Sequence, residues 1–360
     1  MNGPRVKLTI YFGERDRAGD RFLADALADI YARHELQMSL VIRGVEGFGA
    51  KQHLRTDRLL TLSEDLPLVS VAVDSPERIN RVIGEVDQLR FDGLVTLERA
   101  QMFTGRDEPV GPALEQHDAT KLTVYVGRHE RAGGRLAYDA VVNLLHQHRV
   151  AGATVLLAVD GTVRGVRRRA RFFASNREVP AMVIAVGERP QISEALTELR
   201  VLLPDALLTL ERVRVCKRDG QLLAEPSAVR SVDAAGMGVW QKLMVYASEQ
   251  ARSDGHPLHE QLVRALREAG AAGATCVRGI WGYHGDHRPH GDSFWQLRRR
   301  VPVVTIIVDS PERIRRWFRL VDDVTTETGL VTSEVVPAFR ATGPELAIGG
   351  LVLARPEKHP

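Results

Sequence analysis

Two stretches of this chain hold residue types that can grip an anion. Arg43, Gly44, Gly47, Phe48 and Gly49 follow one apolar segment, and Arg278, Gly279, Gly282 and Tyr283 follow another. Spaced glycines let several backbone N–H groups turn toward one point, and a guanidinium adds positive charge, so such a loop can cradle a phosphate or carboxylate. The competing role for the glycines is a tight turn with positive φ. Phe48 and Tyr283 could stack on a base or plug the loop against a neighbouring part of the protein.

Other candidates are of different chemistry. Glu98, Glu211 and Glu334 each stand two residues after a threonine (Thr96, Thr209, Thr332), so in a strand each pair shares a face. They could meet an effector's hydroxyls or a basic residue such as Arg17, giving an inter-unit salt bridge. His284, Asp286, His287 and His290, near Asp292, suit a transition metal by type. Their spacing in a Gly- and Pro-bearing loop without cysteine matches no standard structural site. Arg164, Arg167, Arg168, Arg169 and Arg171 form the densest charge run, read as a solvated loop or as a contact to phosphates or nucleic acid. No G-x-S-x-G, P-loop or H-E-x-x-H motif occurs, so no catalytic residue is assigned and the chain is not expected to be an enzyme.

These candidates sit at corresponding places in three tandem copies. VDSPERI at 73–79 returns unchanged at 308–314, and spacings of 113 to 123 residues align Tyr11/Tyr125/Tyr246, Arg17/Arg131/Arg252, Gly47/Gly161/Gly282, Pro67/Pro180/Pro302 and both members of the Thr–Glu pairs. Repeats this long are whole domains, expected at 5–104, 120–216 and 241–338, with polar connectors at 105–119 and 217–240 and a tail at 339–360. The chain has 360 residues, 44% hydrophobic, a net charge of +3 and two cysteines, which suits a soluble protein in a reducing compartment without a disulfide framework. No export signal or membrane-spanning run is visible, so a cytoplasmic location without membrane insertion is expected, and the small net charge disfavours nucleic acid.

Each copy opens with period-two alternation, as in Leu8, Ile10 and Phe12, and continues with a helical stripe such as Leu23, Leu27, Ile30 and Tyr31. A second strand, a glycine-rich loop, an apolar third strand introduced by the recurring proline, a Ser-Pro-capped helix and a last strand (GLVTLE, ALLTLE, GLVTSE) complete it. The order β-α-β-β-α-β is that of an α+β ferredoxin-like unit. Helices cover one sheet face, yet the third strand is apolar on both. The three units are therefore expected to cover one another's open faces as an intramolecular trimer, with the recurring tyrosines on those faces.

RGVEGFGAKQH and RGIWGYHGDH, taken with LSEDLPLV, VDSPERI and GLVTLE, resemble the PII-like proteins of domain-of-unknown-function family 190, and more remotely the PII signal-transduction proteins. The middle copy departs from the pattern, with LAVDGTVRGVRRRAR in place of the Arg-Gly loop. The resemblance implies a PII-like pseudo-trimer and a regulatory, non-catalytic role. It implies a small anionic effector, an adenine nucleotide first, held between units by Arg43, Gly44, Gly47, Phe48, Gly49, Glu98, Arg278, Gly279, Gly282, Tyr283 and Glu334. A protein partner, for which a membrane channel or transporter is a candidate, would be engaged through mobile loops, and no cofactor is required. A metal sensor or buffer using the third copy's histidines, or a ligand-free adaptor, are the alternatives.

Overall fold

A computed structural model describes residues 4–49, 52–56, 65–103, 118–163, 165–167, 179–233, 235–284, 289–291, 301–343 and 346–353. Unit 1 comprises β1 (Pro4–Gly13), α1 (Leu23–Arg33), β2 (Met38–Phe48), β3 (Pro67–Asp74), α2 (Pro76–Val86) and β4 (Gly93–Phe103). Unit 2 comprises β5 (Asp118–Gly127), α3 (Ala137–Gln147), β6 (Gly152–Val163), β7 (Pro180–Gly187), α4 (Arg189–Leu202) and β8 (Leu207–Arg218). Unit 3 comprises β9 (Trp240–Ser248), α5 (Leu258–Glu268), β10 (Ala274–Arg278), β11 (Trp281–His284), β12 (Pro302–Asp309), α6 (Pro311–Val324) and β13 (Leu330–Val336). A two-residue-a-side hairpin follows the first strand of each unit.

Local chemistry explains these boundaries. Ser75 and Ser310 accept hydrogen bonds from the backbone N–H groups of Arg78 and Arg313, and Pro76 and Pro311 occupy the first helical positions. Unit 2 lacks that tetrapeptide and starts α4 instead with a reciprocal Glu188–Gln191 capping box. Within unit 1, β1 pairs with β3 and β4 while β2 pairs with β3, all antiparallel. Units 2 and 3 repeat the same strand order.

The helices of each unit cover one face of its strands around a private core, which includes Leu8, Leu27 and Ile79 in unit 1, Leu122, Val141 and Leu196 in unit 2, and Leu243, Leu262 and Trp317 in unit 3. The opposite faces meet in a fourth core shared by all three units. Tyr11, Tyr125 and Tyr246 lie in it, with Val71, Ile184 and Ile306 from the third strands. Burial on both sides accounts for third strands that are apolar at nearly every position.

Strand pairing joins the units in a cycle. The start of β2 pairs with the end of β6, the start of β6 with β11, and β10 with the end of β2. The last strands form a second cycle, in which the end of β4 pairs with β8 and the end of β8 pairs with β13. The closing link is β14 (Ala338–Gly343), which lies against residues 93–97 of β4 and turns back as β15 (Leu346–Gly350). The segment expected as a patternless tail thus begins with a ring-closing hairpin, whose strand signal is short and interrupted by glycines. The connector at 217–240 is also structured: Asp233 accepts hydrogen bonds from the N–H groups of Ala235 and Met237 at 2.8 Å each, and the Gln241 amide reaches the Ser227 carbonyl at 2.8 Å. Of the connector at 105–119, residues 105–117 lie outside the described residues.

The recurring glycines owe their place to this pairing, not to a turn. A Cβ on Gly161 would stand 2.5 Å from the Ser39 carbonyl oxygen and 2.9 Å from Pro180 Cγ, and one on Gly47 would stand 2.6 Å from the Ala274 carbonyl. Both sit inside strands at inter-unit pairings beside register shifts. Gly161→Ala is expected to destabilise by about 1–3 kcal/mol, the usual cost of forcing atoms into a filled site. The urea midpoint measures it, and an unchanged midpoint would contradict the close approach.

Candidate functional site

The strand parity that sends Leu8 and Ile10 toward the helices sends Lys7, Thr9 and Tyr11 into the shared core. In each unit the lysine of the first strand stands directly across from the glutamate of the last: Lys7 from Glu98, Lys121 from Glu211, Lys242 from Glu334. The Nζ–Oε distances within these pairs are 2.8, 2.8 and 2.9 Å. Each lysine also reaches the glutamate of another unit. Lys242 meets Glu98 at 2.6 Å, Lys7 meets Glu211 and Lys121 meets Glu334. The six residues close a ring of alternating charge, each buried and each touching two of opposite sign.

Burying six charges is costly, and alternation is what makes it tolerable. Burial pulls the Lys7 ammonium toward neutrality, but Glu211, Glu98 and Glu334 outweigh it and hold the pKa above the ordinary value. Burial likewise opposes the charge on Lys242, where Glu334 and Glu98 prevail and raise the pKa. At Lys121, whose side chain is only 2% exposed, burial prevails over Glu211 and Glu334 and the pKa falls. Burial would raise the carboxyl groups, yet Lys242 and Lys7 hold Glu98 far down, and Lys121 and Lys7 hold Glu211 down.

A pH dependence follows. Glu98 and Glu211 have folded-state pKa values below their ordinary 4.5, so their stabilisation is complete above about pH 4.5 and is lost as pH falls through the folded values. Thermal melting is expected to be nearly level from pH 5 to 7 and to drop steeply below about 4.5. Glu211→Gln should melt lower at pH 7 and show a shallower acid limb; equal slopes would contradict the assignment.

The glutamates are therefore taken up by lysines, and Glu98 and Glu334 are not presented to an effector as ligand-binding residues. Nor is Arg17 their partner. Arg17, Arg131 and Arg252 lie exposed on the small hairpins, where Arg17 stacks over Phe22 and the other two reach local carbonyl groups. The lysines carried a signal of their own: Lys7, Lys121 and Lys242 each stand four residues before the recurring tyrosine.

Around the ring's outside, the glycine loops form the seams between units. Gly44 and Gly47 lie in β2 against β10, and Gly279 faces the Val155 carbonyl of unit 2. These close backbone contacts correct the expectation of an open anion cradle at Gly44, Gly47, Gly279 and Gly282, while a Cβ on Gly49 would meet nothing. Phe48, 4% exposed, lies in the core of unit 3, and Tyr283, 3% exposed, lies in the core of unit 2 with its ring edge 4.9 Å from His146. Both rings plug a neighbouring unit, so neither is open for stacking on a base.

Arg43 and Arg278 remain accessible at the seam mouths. Arg43 pairs with Glu14 at 2.8 Å and Arg278 with Glu249 at 2.8 Å. Leu157 holds the equivalent place in unit 2. There Arg167 instead spans from Asp160 to Asp25 and Asp29 on α1, fastening units 1 and 2. Arg164, Arg168, Arg169 and Arg171 lie outside the described residues, as do Asp286 and His287. His284 ends β11, with Nδ1 3.8 Å from Asp219, and His290 is described only as part of a short strand. Among the described residues the only close group of metal-ligating types is Glu98, Glu211 and Glu334, already neutralised by the lysines.

The fold therefore defines a protein made of three copies of one α+β unit. Residues 5–102, 119–215 and 240–338 each match the profile described as "Uncharacterized ACR", domain-of-unknown-function family 190, and the chain belongs to that PII-like family. It is similar to the "UPF0166 protein" of Aquifex aeolicus (strain VF5), at 33% identity over 94 residues covering 26% of this chain and 88% of that protein. A structure described as a putative glycine cleavage system transcriptional repressor aligns over 59% of this chain and 98% of its own at 11% identity and a TM-score of 0.18. A mutant chlorite dismutase from Candidatus Nitrospira defluvii, in complex with cyanide, aligns over 62% and 92% at 9% identity and a TM-score of 0.21. Neither of these two likenesses bears on the function of this chain. No helix among the described residues is long and apolar enough to cross a membrane.

Proposed function

We propose that the chain is a single-polypeptide pseudo-trimer of ferredoxin-like units, acting as a non-catalytic regulatory module. It binds a small anionic effector, an adenine nucleotide first among candidates, and passes its state to a protein partner through its loops. The observation that carries this reading is the matched pair of seam arginines. Each guanidinium pairs with a partly exposed carboxylate, a pairing that an anionic ligand can replace at small cost, since ion pairs near the surface contribute only about 0–1 kcal/mol.

Divergence of the middle copy makes the reading quantitative. With Leu157 in place of the arginine and Arg167 fastening units 1 and 2, two sites are expected per chain, not three. Calorimetry against ATP, ADP and AMP should give a stoichiometry near two for the effector. Arg43→Ala and Arg278→Ala should each weaken one site by about tenfold or more, as loss of a hydrogen bond to a charged group costs roughly 1.5–3 kcal/mol. No saturable heat with any of the three would overturn the nucleotide reading.

A further inference from the structure

The central ring leaves donors over. An ammonium has three N–H groups, and each ring lysine donates to the glutamate of another unit and at most one more N–H to that of its own, so at least one N–H per lysine remains. All three lysines line an axial cavity of about 50 Å³ in the shared core, and none of the three glutamates does. Lysine side chains, and not the carboxylates they pair with, therefore border the cavity, and the hydroxyl-bearing Thr9, Thr123, Tyr11 and Tyr125 line it with them. The remaining wall is apolar, with Ile42, Leu156 and Val277 from the second strands and Val71, Ile184 and Ile306 from the third.

We infer that this axial cavity is a binding site for one weakly hydrated monatomic anion of chloride or bromide size, held by the spare N–H groups of Lys7, Lys121 and Lys242. Size admits such an ion, since the cavity's 50 Å³ is several times the roughly 10–15 Å³ of accessible space that one water needs. The apolar wall disfavours strongly hydrated ions, whose lost solvation a few donors cannot replace. Donor chemistry disfavours a cation, because every charged group on the cavity wall is positive. The site is independent of the seam arginines and of any nucleotide.

Crystals of the full chain grown in sodium bromide test it by anomalous diffraction at the bromine edge. One peak is expected on the axis, within hydrogen-bonding distance of the three Nζ atoms. In solution, Tm should rise saturably with bromide or chloride and not with gluconate at equal ionic strength. An axial cavity that shows only water or no density at high bromide would overturn the inference, as would a non-saturating rise in Tm common to all salts. Ile184→Phe, which fills the cavity without touching the ring, should abolish the peak and the halide-specific rise. Persistence of both in that variant would place the ion elsewhere and overturn the site; if the variant does not fold, the wild-type result decides.

Discussion

Lys121→Met is expected to cost the fold about 3–5 kcal/mol, because it leaves buried carboxylates without their partner. Lys121 is the most enclosed of the three lysines and touches both Glu211 and Glu334. Removing its charge strands negative charge in a largely apolar core, where a neutral water in the adjoining cavity cannot neutralise it. Replacing all three lysines by Met and all three glutamates by Leu should give a very different result. Removing both halves of a buried ionic network is often neutral or stabilising, by about 1–4 kcal/mol. The ring would then be a device for register more than for stability, since only the arrangement that brings three lysines against three glutamates leaves none unpaired. Urea unfolding of the two variants checks this. A single variant within 1 kcal/mol of wild type would sink the ring's role.

The second large effect concerns closure. Truncation after Pro337 removes β14 and β15, leaving residues 93–97 of β4 without a neighbour on that side. It also removes Ala338 from the core of unit 1, and Leu351 and Leu353, which pack against that core. The expected loss is about 1–3 kcal/mol, since Leu351 and Leu353 are partly buried and each contributes less than the roughly 1.5–3 kcal/mol of a fully buried large apolar side chain. An open strand edge is also a template for pairing with another chain. Light scattering should therefore show concentration-dependent association of the truncated protein and none for the full chain. A stable, monodisperse truncated monomer would contradict the closing role of the hairpin.

Much of this was legible in the residues. Tandem copies and α+β class follow from recurrence and from the switch between periods of two and 3.6, and the stripe Leu23, Leu27, Ile30 and Tyr31 is buried as its spacing requires. The site was harder to read, because a side chain's partners depend on contacts between distant units. Recurrence marked Glu98, Glu211 and Glu334, but their lysines lie across a strand pair and in other units, and a charged residue in a strand reads as solvent-facing until the second face is known to be buried. The Gly47 and Gly282 loops misled for a related reason. Glycine clusters have the same composition whether they cradle an anion or admit a neighbour's backbone, and only the positions of Ala274 and Ala153 distinguish the two. Phe48 and Tyr283 illustrate the point: adjacent to those glycines, they fill the cores of other units.

The central claim is that one polypeptide closes its own ring. Small-angle scattering on an absolute scale tests it most directly, giving mass and dimensions together. The expected result is a particle of 39.9 kDa with a radius of gyration of about 21 Å, the value for a compact chain of this length. A mass of three chains, or the larger radius of three separated units at the mass of one, would contradict it.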